Sequence, residues 1–101
     1  MFLKGKTALI TGSTSGIGLG YARALAAQGA NVMINGFGDA DLIQSYVTEL
    51  SKLSGGNAHY SAADMTEPDS IRAMVSECTN LLGSPDILIN NAGIQHVAPV
   101  D

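Results

Sequence analysis

Thr11-Gly12-Ser13-Thr14-Ser15-Gly16-Ile17-Gly18 decides how the rest of the chain is read, because of what flanks it. Before it, Thr7-Ala8-Leu9-Ile10-Thr11 is a short apolar run closed by glycine, the pattern of a strand buried on both faces. After it, apolar positions at Ile17, Tyr21, Ala24 and Leu25 follow helical spacing, and Gly29 supplies a left-handed stop. A glycine triplet alone is found in caps and hairpins too. Set between a strand and a helix, with a further strand within about thirty residues, it has the context of a phosphate-cradling loop. Gly12 permits the sharp turn out of the strand, Gly16 admits a pyrophosphate with no Cβ in its way, and Gly18 lets the helix pack close to the sheet. The free N–H groups and positive dipole end of the helix face the anion. Ser13 and Ser15 can add hydroxyl hydrogen bonds. Gly12, Ser13, Thr14, Ser15, Gly16, Ile17 and Gly18 are therefore the candidate cofactor loop, against the alternative of a purely structural turn.

Strand and helix patterns keep alternating on the far side of this loop. Asn31-Val32-Met33-Ile34-Asn35 reads as a second strand, closed by Gly36. Leu42, Ile43, Tyr46, Val47, Leu50 and Leu53 form a stripe that only a 3.6-residue period produces, and this second helix ends at Gly55-Gly56. Ala58 to Ala63 reads as a third strand. A third helix carries Ile71, Met74, Val75, Cys78, Leu81 and Leu82 on one side and ends at Gly83. At its start Thr66 can cap, Pro68 needs no N–H partner, and the acids of Glu67 and Asp69 complement the dipole. Ile87-Leu88-Ile89 is a fourth strand, with Asn90-Asn91-Ala92-Gly93 at its carboxyl end. Right-handed crossovers then give an α/β fold, a doubly wound parallel sheet of the Rossmann type with helices on both faces. No internal repeat, low-complexity segment or linker interrupts it, and Ser54-Gly55-Gly56-Asn57 is a helix-to-strand loop rather than a boundary.

Composition agrees and excludes several partners. A length of 101 residues with 46% hydrophobic and 14% charged side chains suits one core and argues against disorder. The net charge of −4 lacks the basic footprint that nucleic acid requires. One cysteine forms no internal disulfide, which makes an intracellular compartment the default. The first residues carry no signal-peptide pattern, and no apolar run is long enough for a membrane span. Two histidines and one cysteine without ligand spacing make no metal site.

The spacing Gly-x-x-x-Gly-x-Gly, with Thr11 before it and Ile17 inside it, resembles the short-chain dehydrogenase/reductase family. Asp64 after the third strand and Asn90-Asn91-Ala92-Gly93 after the fourth match two further motifs of that family, in the right order. Within it, Asn35-Gly36-Phe37-Gly38 and Gly93-Ile94-Gln95-His96 resemble the bacterial D-3-hydroxybutyrate dehydrogenases. The resemblance implies an NAD-dependent oxidoreductase acting on a small hydroxy acid, cytoplasmic and homotetrameric at full length. It places the Asp64 carboxylate and the Met65 main chain at the adenine, and Asn91, Ala92 and Gly93 on the nicotinamide side. Gln95 matches a glutamine that helps bind the substrate carboxylate. Asp64 can equally cap the third helix, and Gln95 can be an ordinary solvated loop residue. His59 and His96 have nothing to orient them and read as exposed.

Cofactor choice turns on the end of the second strand. An acid there holds the ribose hydroxyls, and a base accepts a 2′-phosphate. Gly36 stands in that place, followed by Phe37, and Ser15 precedes Gly16. Without a cation a 2′-phosphate loses its hydration unreplaced, which favours NAD. A bulky Phe37 would also occupy the space of a 2′-phosphate, or alternatively it anchors the loop in the core.

The family's catalytic serine, tyrosine and lysine lie downstream of Asp101, and Tyr21, Tyr46 and Tyr60 come too early to be that tyrosine. No catalytic residue is therefore expected in this chain. The family strand order also leaves the fourth strand at an edge with Ile87-Leu88-Ile89 uncovered, an exposure that proteins avoid. The chain accordingly reads as the N-terminal, cofactor-binding part of one longer domain. Other alcohols or carbonyls, on sugars, steroids or acyl carriers, stay open as substrates, as does a nucleotide-binding module without catalysis.

Overall fold

Five consecutive buried residues make β1 (Thr7–Thr11) the centre of the sheet. The computed structural model describes residues 3–14, 16–55, 57–63 and 67–91. The remaining elements are α1 (Gly16–Ala27), β2 (Asn31–Asn35), α2 (Ala40–Ser54), β3 (Ala58–Ser61), α3 (Pro68–Leu81) and β4 (Ile87–Asn90). The strands run in the order β3-β2-β1-β4, all parallel, with Leu9 level with Met33 on one side and Leu88 on the other. This is the doubly wound Rossmann-type arrangement expected from the alternation.

Alternating strand residues feed two separate cores. Ala8, Ile10, Val32, Ile34 and Ala58 point to the α1/α2 face, where Ala22, Ala26 and Leu50 meet them. Leu9 and Met33 point the other way, onto Met74 and Cys78 of α3. Burial pushes the Cys78 thiol up from its ordinary pKa, which keeps it protonated and unreactive, as its place on an apolar face suggested.

The apolar stripes are wider than the faces that are buried. In α1 the buried residues are Gly18, Leu19, Ala22 and Ala26, while Ile17, Tyr21 and Ala24 are exposed. The helix is apolar almost all round, so its period does not single out a face. The smallest side chains win because they let the helix axis approach β1 closely. In α2 and α3, Leu42, Ile71 and Leu81 are exposed at the margins of the stripe.

The caps follow local chemistry. Asp39 accepts from the N–H of Asp41 at 2.8 Å and of Leu42 at 3.4 Å, and Gly55 closes α2 in the left-handed region. Glu67 precedes α3 but makes no side-chain capping bond, and the expected cap, Thr66, lies outside the described residues. The third strand ends at Ser61, two residues earlier than its pattern suggests. β4 is tied to β1 where it enters the sheet: Asp86 Oδ2 accepts the Thr7 N–H at 2.9 Å. Ile87 and Ile89 are half-buried against the α1/α2 core, so the expectation of a wholly uncovered strand holds only for Leu88. Among the described residues, no helix is long and apolar enough to cross a membrane.

Candidate cofactor site

The carboxyl ends of β1, β2 and β4 converge on the glycine loop, where an open α/β sheet places its ligands. Gly12 turns the chain out of β1 with φ +59°. Its carbonyl oxygen accepts from Asn91 Nδ2 at 2.9 Å, which ties the end of β4 to the loop. Gly18 sits directly beneath. A Cβ there would lie 2.0 Å from the Gly12 oxygen and 2.8 Å from Asn91 Nδ2. The close approach expected of Gly18 is therefore real, but its partners are the loop itself and Asn91 rather than a neighbouring strand.

Gly16 is the opposite case. It is exposed, its φ is +57°, and a Cβ built on it meets nothing within 4 Å. Open space thus stands in front of the first turn of α1, which carries no acidic residue. Backbone N–H groups at a helix start, with room before them and no acidic residue in the helix's own first turn, suit an anion. Ile17 beside it is 68% exposed.

Ser13 does something other than expected. It is fully buried, with Oγ 2.7 Å from the Ile10 carbonyl oxygen and 3.2 Å from that of Asn35. The same Oγ accepts the Asn35 N–H at 2.8 Å, and the Ser13 N–H donates to the Asn35 oxygen at 2.6 Å. A hydroxyl has one proton, and this one is spent on main-chain carbonyls. Ser13 braces the loop against β2 and has no proton left for a phosphate.

Asn35 continues that brace outward. Its buried side-chain amide donates to the carbonyls of Ser61 at 3.0 Å and Ala63 at 2.9 Å, fixing the chain just beyond β3. Sequence reading placed Asn35 at the end of the second strand and used it as a marker of resemblance, but gave its side chain no role. The signal available was a polar side chain ending an otherwise apolar strand.

The corner at the end of β2 is closed by Thr14. A Cβ on Gly36 would lie 2.5 Å from Thr14 Oγ1, and that hydroxyl donates to the Phe37 carbonyl at 2.8 Å. An acidic side chain at position 36 would have to displace this bond. The nearest acid along the chain, Asp39, is occupied in capping α2. Phe37 itself is 80% exposed, so it does not anchor the loop in the core. The Tyr60 hydroxyl donates to the Gly36 carbonyl from β3. Ser15, Asp64, Met65, Ala92, Gly93, Gln95 and His96 lie outside the described residues.

Comparison with known proteins agrees with this geometry. The sequence profile described as short chain dehydrogenase matches residues 6–101. The chain belongs to the short chain dehydrogenase family. Within the family it is 52% identical over 99 residues to a D-beta-hydroxybutyrate dehydrogenase of Cupriavidus necator, covering 98% of this chain and 38% of that protein. It is 49% identical over 96 residues to a protein of the same name from Rhizobium meliloti, covering 95% of this chain and 37% of the relative. Among solved structures, a short chain dehydrogenase of Burkholderia cenocepacia in complex with NADP superposes with a TM-score of 0.85 at 39% identity, over 100% of this chain and 41% of the other. The chain thus spans about two-fifths of the length of the family members it matches, and it contributes a nicotinamide-cofactor fold of an oxidoreductase family.

Proposed function

We propose that this chain is the cofactor-binding, N-terminal part of an NAD-dependent D-3-hydroxybutyrate dehydrogenase. The observation that carries the cofactor choice is the closed corner at Gly36: Thr14 leaves no room for a side chain there, and Phe37 stands exposed where a 2′-phosphate would need a cation. The substrate follows the relatives of that name, together with Gln95 as a donor to the substrate carboxylate. In the resemblance, Asp64 and Met65 serve the adenine, and Asn91, Ala92 and Gly93 serve the nicotinamide side.

A nicotinamide cofactor held here would take up hydride from the carbinol carbon, while the hydroxyl proton goes to a base supplied downstream of Asp101. The residues of this chain bind and orient. Gly16 and the start of α1 receive the pyrophosphate, Phe37 borders the ribose, and Asn91 holds the loop to β4. The reading includes a cytoplasmic homotetramer at full length. The NADP in the Burkholderia cenocepacia structure favours a second reading, in which the 2′-phosphate is accepted.

Steady-state kinetics on the whole protein as expressed separates these. Oxidation of D-3-hydroxybutyrate with NAD well ahead of NADP is expected; comparable kcat/KM for the two cofactors would select the second reading. Gln95→Leu should lower kcat/KM for hydroxybutyrate roughly ten- to hundredfold, the loss of a carboxylate bond worth about 1.5–3 kcal/mol. Normal turnover by that variant would remove Gln95 from the site.

A further inference from the structure

Two consecutive carbonyls at the end of β2 are each held by a hydroxyl from a different element. The Tyr60 hydroxyl donates to the Gly36 carbonyl from β3, and Thr14 Oγ1 donates to the Phe37 carbonyl at 2.8 Å from the glycine loop. These carbonyls belong to the two peptide units that meet at the Phe37 Cα. Anchoring both fixes φ and ψ of Phe37, and with them the direction of its Cα–Cβ bond. The ring itself is 80% exposed. The body of Tyr60 packs against the α1/α2 core, so its hydroxyl is presented from a rigid base.

We propose that Tyr60 is a positioning residue for cofactor discrimination: acting with Thr14 through the Gly36 and Phe37 carbonyls, it aims the Phe37 ring into the space that a 2′-phosphate on the adenosine ribose would need. The inference rests on the NAD reading above and adds the device that enforces it. Tyr60 touches no cofactor in this scheme. It acts only through the main chain, and its effect is confined to the adenosine end.

The test uses probes of that end alone, 5′-AMP and adenosine 2′,5′-bisphosphate, titrated calorimetrically into the whole protein as expressed. The unaltered protein is expected to prefer 5′-AMP. Tyr60→Phe keeps the ring and its packing but removes the proton that holds Gly36. It should weaken 5′-AMP binding by roughly two- to tenfold, the worth of one hydrogen bond, and bring the two affinities closer together. Equal weakening of both probes, with the ratio unchanged, would mean a merely structural tyrosine and would overturn the inference; so would unchanged binding of both. If Tyr60→Phe does not fold, Thr14 decides. Thr14→Ser keeps the hydroxyl and should keep the ratio, whereas Thr14→Val should narrow it. Identical ratios in those two variants overturn the inference. The unaltered protein judges the NAD reading separately: no preference between the probes there removes that reading, whatever the variants do.

Discussion

Where β1 and β2 reach their carboxyl ends, polar side chains are committed to the main chain. Ser13, Thr14, Asn35, Tyr60 and Asn91 all bond backbone groups, and the segments they join come from the glycine loop, β2, β3 and the end of β4. Across the sheet, between α3 and β4, the situation is reversed. Leu88 is 62% exposed and Ile71 46%, and a cavity of about 60 Å³ opens among Leu9, Thr11, Ile71, Met74, Leu88 and Asn90. The first region is built by spending side-chain hydrogen bonds on backbone rigidity. What it then offers a ligand is main chain and apolar side chains: Gly16, Ile17 and Phe37. The second region has side-chain bonds of its own, Thr11 Oγ1 donating to Asn90 Oδ1 at 3.0 Å and Thr7 Oγ1 to the Leu82 carbonyl at 3.2 Å, but its apolar packing is incomplete. Precision is concentrated at the corner where the cofactor is proposed to bind.

The largest test of this contrast deletes one buried side chain from each face. Leu50 is fully buried in the α1/α2 core, and Met74 is buried beside the open cavity. Truncating either to Ala should cost about 2–5 kcal/mol, with the value set by how far the surroundings collapse into the space. Leu50→Ala should fall at the upper end and Met74→Ala at the lower, because the α3 face has room to relax. Chemical denaturation of the two variants gives the comparison directly. Equal losses, or the reverse order, would show that the α3 face is as tightly packed as the other.

Much of this contrast was written in the sequence, and the remainder was not, for physical reasons. Apolar runs and periodicity located all seven elements among the described residues, because burying a sheet under helices demands apolar residues at those spacings. Glycine spacing located the loop, because close approach and left-handed turns both need a missing Cβ. Side-chain direction in the loop was not legible. Ser13 looks on paper like a phosphate donor, yet its neighbours Ile10 and Asn35 offer carbonyls closer at hand. Asn35 and Tyr60 were invisible as braces, since each bonds a residue 24 to 28 positions away in the chain. The buried side of α1 was misread because a helix of glycines, alanines and leucines has no polar face to contrast with.

A middle-sized test targets the brace at Gly12. Gly18→Ala forces a Cβ to within 2.0 Å of the Gly12 carbonyl oxygen, a backbone atom, and 2.8 Å of Asn91 Nδ2. Overpacking of this kind costs about 1–3 kcal/mol. Asn91→Ala relieves the same spot by removing the amide, losing one bond worth about 0.5–1.5 kcal/mol. Because the two residues share a partner, their double variant should be less destabilised than the sum of the singles. Thermal melts of all three decide it; strict additivity would mean that Gly18 and Asn91 act on the loop independently.

The smallest expected effect is the most informative about the open face. Leu88→Thr exchanges an exposed apolar side chain for a polar one and keeps a residue suited to strands. With so much of Leu88 in solvent, the change should stay within about 0.5 kcal/mol. Ile89→Thr, one residue on, points to the other face, where Ile89 packs half-buried against the α1/α2 core, and it should cost clearly more. The difference between these neighbours isolates the cover on each side of β4 from any general weakening of the strand. Should Leu88→Thr instead cost about 1.5 kcal/mol or more, the range for a leucine that is fully buried, the α3 face is covered in solution by protein. A loss that grows on dilution would assign that cover to another copy, because the stability of an associated face depends on concentration. A loss independent of concentration would assign it to polypeptide joined to this chain. In either case the open cavity beside Leu88 would be a docking surface, and the contrast between the two regions would be one of assembly rather than of packing.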